Sequence, residues 1–235
     1  MTDSRLTLVE GQCGTLPLTL PPHPTLFRGA ARSWPAASRW TAAFFAQRYG
    51  DQPVRCNRAR SNQETVMDLR SYLRRSADHE ADPLMLHWRI SPDDPELSGD
   101  YTTPPAWRGW LFHLDRQLQP GWLWIIFGPG GAGLPEHEDM LGTATWNALI
   151  QGTKRWTLHG QTTASFVQEA GDVIFLPSRV RHSVEYLSPS ISLSENIVDA
   201  ACARAVHAGL IASDEQRMAR IVARLSELHA QGRLS

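Results

Sequence analysis

Cysteine is scarce in this 235-residue chain. The three present, Cys13, Cys56 and Cys202, are scattered and odd in number, so they build neither a disulfide framework nor a CxxC metal site. That suits a reducing, cytoplasmic setting. An excess of one charge is also missing. There are 23 Lys and Arg against 24 Asp and Glu, a net charge of −1, with no basic block. Strong electrostatic binding to nucleic acid is therefore not expected. No membrane span is expected either. The apolar run Trp122 to Phe127 stops at Gly128-Pro129, and Met1-Thr2-Asp3-Ser4-Arg5 leads into no apolar segment. Internal repeats and low-complexity linkers are absent. What remains fits one domain over residues 1–235, long enough for a full core.

Up to about residue 120 the chain mixes short helices and turns, an N-terminal elaboration with α and β elements. Trp40 to Tyr49 reads as a helix that Thr41 caps and Gly50 ends, and Val66 to Arg75 as a second. Leu84 to Ile90 is strand-like, and Ser91 to Pro105 is a loop rich in Pro, Asp and Gly. Over 121–199 the texture changes to short strands with glycine between them: Trp122–Phe127, Thr143–Ile150, Arg155–Leu158, Ser165–Gln168, Asp172–Leu176, His182–Tyr186 and Ile191–Ile197. Gln151-Gly152-Thr153 and Glu169-Ala170-Gly171 read as hairpin turns. Such spacing predicts a sandwich or barrel. The tail, 200–235, is helical. Ser213 and Gln216 suit a capping box, and Met218, Ile221, Val222, Leu225 and Leu228 form one apolar stripe.

Within the strand-rich part, His137-Glu138-Asp139 precedes a distant His182. On a strand, residues i and i+2 share a side, so His137 and Asp139 can hold one metal while Glu138 points away. Two histidines and one carboxylate are the ligand set of non-haem Fe(II) sites with open positions. Lys154 follows a glycine turn and can point inward at a barrel mouth. Ser192, Ser194 and Asn196 share one face of their strand; a polar inner row suits a ligand cavity better than a packed core.

The stretch from Phe127-Gly128-Pro129 through His137-Glu138-Asp139 to Gly152-Thr153-Lys154-Arg155-Trp156 resembles the jumonji-C hydroxylases, and in particular the lysyl hydroxylases among them. The block Ala170 to Pro177, with His182 and Ile191 to Asn196, resembles the same family, as does Pro24 to Ala30 with Trp34-Pro35-Ala36 and Trp40. The resemblance covers roughly residues 20–200. It implies a mainly β fold with flanking helices, a double-stranded β-helix of the cupin type. It also implies a reaction that couples substrate oxidation by O2 to decarboxylation of 2-oxoglutarate at Fe(II). Carried over by position, His137, Asp139 and His182 are the metal ligands. Lys154 holds the far carboxylate of 2-oxoglutarate, and Asn147, Ser194 and Asn196 contact the co-substrate or lie near the metal. A homodimer through the C-terminal helices is implied too, although the tail stripe by itself suits packing within the chain.

Three departures concern the substrate side. Leu134 stands where the family has a threonine, Val180-Arg181 replaces two tryptophans, and the segment after Trp156 is short. The substrate is therefore either an amino-acid side chain in a peptide or a small amino-acid-like metabolite. Arg181, Trp110 and Glu136 are candidates to touch it. His23, His79, His207 and His229 read as structural or exposed, whereas His87, His113 and His159 could line a cavity. The rival reading is a cupin without oxygenase chemistry, either a metal-dependent isomerase or a ligand-binding module. Isomerase sites more often offer three histidines and a glutamate; here only Glu136 or Glu138 stands nearby, and Asp139 fits better.

The spacing generates a direct test. Asp139→Ala or His182→Ala should abolish Fe(II)-dependent decarboxylation of 2-oxoglutarate in a folded protein, and Glu138→Gln should be mild. Loss of metal binding in Glu138→Gln with its retention in Asp139→Ala would reject the assignment.

Overall fold

The computed structural model describes residues 8–11, 13–59, 61, 63–76, 82–91 and 93–234. The extreme N-terminus and His79, both read above, lie outside the described residues. The N-terminal part contains β1 (Val9–Glu10), β2 (Thr25–Phe27), α1 (Ala36–Arg39), α2 (Ala42–Tyr49), β3 (Pro53–Arg58), β4 (Glu64–Asp68), α3 (Leu69–Arg75) and β5 (Leu84–Arg89). The middle contains β6 (Leu123–Gly128), β7 (Gly133–His137), β8 (Ala144–Gln151), β9 (Thr153–His159), β10 (Ala164–Glu169), β11 (Val173–Leu176), β12 (Arg181–Tyr186) and β13 (Ser190–Ile197). Two helices follow, α4 (Ala203–Ala212) and α5 (Gln216–Ala230).

The strands form two facing sheets. The larger runs β1-β2-β11-β8-β13-β6-β5-β3-β4 and the smaller β10-β9-β12-β7. The chain passes back and forth between them from β6 to β13, the winding of a double-stranded β-helix. Alternation decides what faces inward. In β9, Lys154, Trp156 and Leu158 are buried; in β12, His182, Val184 and Tyr186 are. Residues between them, such as Arg155, Arg181 and Glu185, face water. The large sheet is covered on both sides. Its outer face packs Ile125, Trp146, Leu193 and Ile197 against Trp40, Phe45 and Trp107. Each such apolar side chain contributes about 1.5–3 kcal/mol on leaving water.

The 91–105 loop is held by Asp100, which accepts from Trp40 Nε1 at 2.7 Å and from Arg39 at 2.9 Å. Thr41 caps α2, accepting from the Phe44 N–H at 3.1 Å. The second expected helix starts late. Thr65 and Val66 pair with β3, and Asp68 caps α3 by accepting from Ser71 N at 2.8 Å. Their β-branched side chains suit a strand, and the cap fixes where the helix begins.

Two other expectations are corrected. The turns at Gly152 and Gly171 close no hairpins, because β8 and β11 belong to one sheet and β9 and β10 to the other. Both glycines have positive φ, 90° and 92°. At Gly152 a Cβ would lie 2.4 Å from the Pro189 carbonyl oxygen, so the crossing needs glycine. The capping box of the tail is also absent. Ser213 closes α4, its N–H reaching Gly209 O at 3.0 Å, and the chain reverses at Asp214 with φ 60°. The apolar stripe of α5 is used inside the chain: Val222 and Leu225 are buried with Val206, Leu210, Trp110 and Trp122, and Met218 and Ile221 pack against them.

Candidate metal centre and adjoining cavity

β7 and β12 run antiparallel with His137 directly opposite His182. Their ring centroids are 4.3 Å apart. One ligand atom each from His137, Asp139 and His182 lies within 4.8 Å of the others. The route differs from the expected strand spacing. β7 ends at His137, and Asp139 enters from the turn that follows. That turn is compact: Leu141 has φ 56°, Gly142 has φ 71°, and the Gly142 N–H donates to the Asp139 carbonyl at 3.1 Å. Helix α4 seats it. A Cβ on Gly209 would stand 3.1 Å from both Cα and O of Leu141.

Each histidine is oriented by a backbone carbonyl. His137 Nδ1 lies 2.8 Å from Pro135 O, and His182 Nδ1 lies 3.0 Å from Val180 O. Carbonyl oxygens only accept, so Nδ1 carries the proton and Nε2 keeps its lone pair for a metal. Burial lowers the His182 pKa and raises that of Asp139, opposed in part by their mutual attraction. Such a set is short of positive charge, and a divalent cation supplies it. Two imidazoles and one carboxylate fit Fe(II) with positions left open.

The three groups open onto a cavity of about 190 Å³ whose lining includes Asn147, Lys154, Ser194 and Asn196. All seven residues expected from sequence to hold metal or co-substrate therefore meet in one place. Lys154 is 1% exposed. Its Nζ donates to Ser192 Oγ at 2.7 Å and to Asn147 Oδ1 at 3.4 Å, and lies 4.9 Å from the Tyr186 ring centre. No carboxylate lies within salt-bridge reach of it among the described residues. Burial brings its pKa down to about 7. Ser194 faces the cavity but gives its proton to Trp146 O at 2.9 Å, and Asn196 donates to Thr143 Oγ1 at 2.7 Å. Leu134 is an apolar wall, as its replacement of threonine implies.

The three substrate candidates are not brought to this cavity. Arg181 alternates with His182, so it lies on the outer face and pairs with Glu136 at 2.6 Å. Glu136 also approaches His159, at 3.8 Å. Trp110 is buried near the C-terminal helices, its ring 5.0 Å from His229. Glu138 is exposed. Ser192, placed by sequence on the polar inner row, accepts from Lys154 rather than lining the cavity. Sequence reasoning did not single out Trp156 or Tyr186 as cavity walls, yet the alternation through Lys154 and through His182 points to both. His87 also lines the cavity. One further signal was there to use: Lys154 is the only lysine in the sequence.

Fold and site together define a jumonji-type double-stranded β-helix with a two-histidine, one-carboxylate centre. The chain's homologues are jumonji-type demethylases and hydroxylases. It is 32% identical over 174 residues to the lysine-specific demethylase JMJ21 of Arabidopsis thaliana, covering 69% of this chain and 18% of that protein. It is 30% identical over 143 residues to the bifunctional arginine demethylase and lysyl-hydroxylase psr-1 of Caenorhabditis elegans, covering 59% and 36%. It is 28% identical over 149 residues to the 2-oxoglutarate and iron-dependent oxygenase JMJD4 of Gallus gallus, covering 48% and 35%. The matched stretches thus span little more than a third of these relatives, or less. No family model matches the chain.

Two predictions follow from this geometry. Gly209→Val should push Leu141 and with it Asp139, weakening divalent-metal binding roughly tenfold or more while circular dichroism stays native; unchanged metal affinity by calorimetry would show that α4 does not hold the turn. The second concerns Lys154. Its folded pKa of about 7 lies below the ordinary 10.5, so the unfolded chain binds more protons between these values. Stability of the ligand-free protein should therefore rise with pH across that window. Lys154→Met should lack this rise, so its thermal-stability advantage over the parent should shrink steadily from pH 7 to about pH 9.5.

Proposed function

We propose that this chain is an Fe(II)- and 2-oxoglutarate-dependent oxygenase, specifically a hydroxylase, with His137, Asp139 and His182 as the metal ligands. One observation carries the reading: an ammonium buried without a carboxylate partner among the described residues shares a small cavity with the triad. A dianion that chelates metal at one end and ends in a carboxylate meets both needs at once. Lys154 would take that far carboxylate, with Asn147 and Ser192 fixing the ammonium. Ser194 and Asn196 line the wall between.

When bound, Fe(II) supplies activation of O2, one oxygen atom entering a substrate C–H bond and the other the succinate left as 2-oxoglutarate loses CO2. The remaining work belongs to side chains. Pro135 O and Val180 O hold the two imidazoles in the ligating tautomer. Lys154 fixes the orientation of the co-substrate. Ile126, Trp156 and Val184 keep bulk water from the cavity. The substrate is an amino-acid side chain or a small amino-acid-like metabolite. The rival cupin reading, an isomerase or binding module, finds less support: Glu136 and Glu138 stand outside the cavity, and a module of that kind has no use for Lys154.

We extend the proposal to residues 1–235 acting as one unit in the cytoplasm. Among the described residues no helix is long and apolar enough to cross a membrane. A homodimer through α4 and α5 would use their outward residues, such as Ile211, 45% exposed, because the apolar stripe is spent inside; light scattering decides this.

The class is tested by titrating the protein with Fe(II) and 2-oxoglutarate under argon. The expected result is a weak visible metal-to-ligand charge-transfer band. Losing a charge-assisted hydrogen bond of roughly 1.5–3 kcal/mol should weaken 2-oxoglutarate about 10- to 100-fold in Lys154→Ala, with Fe(II) affinity little changed. No band in the parent protein, or unaltered 2-oxoglutarate affinity in the variant, overturns the reading.

A further inference from the structure

A second and larger space, about 590 Å³, adjoins the metal cavity. His87 and Leu134 line both, so the two meet at these side chains. The second space lies over the inner face of β5 and β3, where the large sheet extends past the barrel, and β7 bounds its other side. Its volume is in the range of small-molecule sites.

The lining is divided by chemistry. Met85, Leu134 and Pro135 give apolar walls near the junction, and Arg55, Asn57 and Arg58 stand on the outer strand. Arg55 is tied to Glu64 at 2.8 Å in a pair exposed on both sides, 74% and 52%. Exposed pairs of this kind contribute little, so an incoming anion competes readily for the guanidinium. At the junction, His87 has no hydrogen-bond partner among the described residues and faces open space, leaving one donor and one acceptor for a visitor. The strand order β6-β5-β3 puts Arg55 two strand spacings, roughly 10 Å, beyond the wall that β6 gives the metal cavity.

Resting on the oxygenase reading, we propose that this second space receives the molecule to be oxidised, and that this molecule is a small acid with an apolar body. Its carboxylate sits at Arg55, its chain runs along Met85, Leu134 and Pro135, and its reacting carbon passes His87 toward the metal. The anion-binding arginine is thus on β3. Arg181, held to Glu136 on the outer face, has no part in it.

The test uses the protein loaded with Fe(II) and 2-oxoglutarate under argon, so that the Lys154 end is filled. Linear monocarboxylic acids from butanoate to dodecanoate are titrated by calorimetry, with the matching alcohols as controls. Saturable binding should appear for acids long enough to span the junction and be absent for the alcohols. Arg55→Glu should weaken it by about tenfold or more, and Arg55→Gln by less. Leu134→Trp, which narrows the junction, should abolish binding of the longer acids. If the visible band forms but no acid binds, or alcohols bind equally, or Arg55→Glu has no effect, this inference fails and the oxygenase reading stands. Binding of an acidic peptide in place of the acids also overturns it. If no band forms, the oxygenase reading fails, and the same titration on metal-free protein still decides whether the space takes acids.

Discussion

An ammonium buried with nothing negative beside it among the described residues is the constraint on which the inside of this barrel depends. Desolvation of a charge is costly, and neutral acceptors offset only part of it. Ser192 and Asn147 supply those acceptors, and the Tyr186 ring adds a cation–π contact. Ser192 belongs to the inner row of β13, with Ser194 and Asn196, while the outer row includes Leu193 and Ile197. A strand meant only for packing would be apolar on both faces in a sheet covered twice. The polar row loses packing and leaves an open, polar-lined space.

The other end of the cavity is built differently. Two histidines form one cross-strand pair, so their separation is set by sheet geometry and their ring orientation by backbone carbonyls. Asp139 comes from a turn, and a turn must be held from outside. Ser178 Oγ donates to Gly142 O at 2.6 Å on one side, and α4 presses Gly209 against Leu141 on the other. Helix α4 is thereby part of the site although it contributes no residue to the cavity.

Much of this was legible because alternation is a strong signal. Every strand expected after residue 121 exists, with ends moved by one or two positions, and the seven site residues converge. What escaped were features that only long-range pairing decides. Gly133-Leu134-Pro135 carries no strand pattern, yet β12 recruits it as β7. Pro53 to Arg58 becomes a strand because β4 and β5 lie on either side. Gly152 and Gly171 have the chemistry of hairpin turns, but local sequence cannot tell a turn within a sheet from a crossing between two. Asp139 shows the same limit: the i, i+2 argument placed it on a strand, whereas the strand stops two positions earlier and Asp139 reaches the two histidines from the turn that follows. Arg181 was placed correctly by alternation, on the face away from the metal, and the structure pairs it there with Glu136.

The chain's only side-chain amine lies at the floor of the cavity, and burial brings its pKa down to about 7, which makes it a better nucleophile near neutral pH than an ordinary lysine. Lysines elsewhere usually compete for acylating or carbamoylating reagents; here there are none to do so. A reagent small enough to pass His137 and His182 would leave its mass on one side chain. Occupation of the cavity by any anion would then register as protection of a single peptide, a chemical footprint of the site.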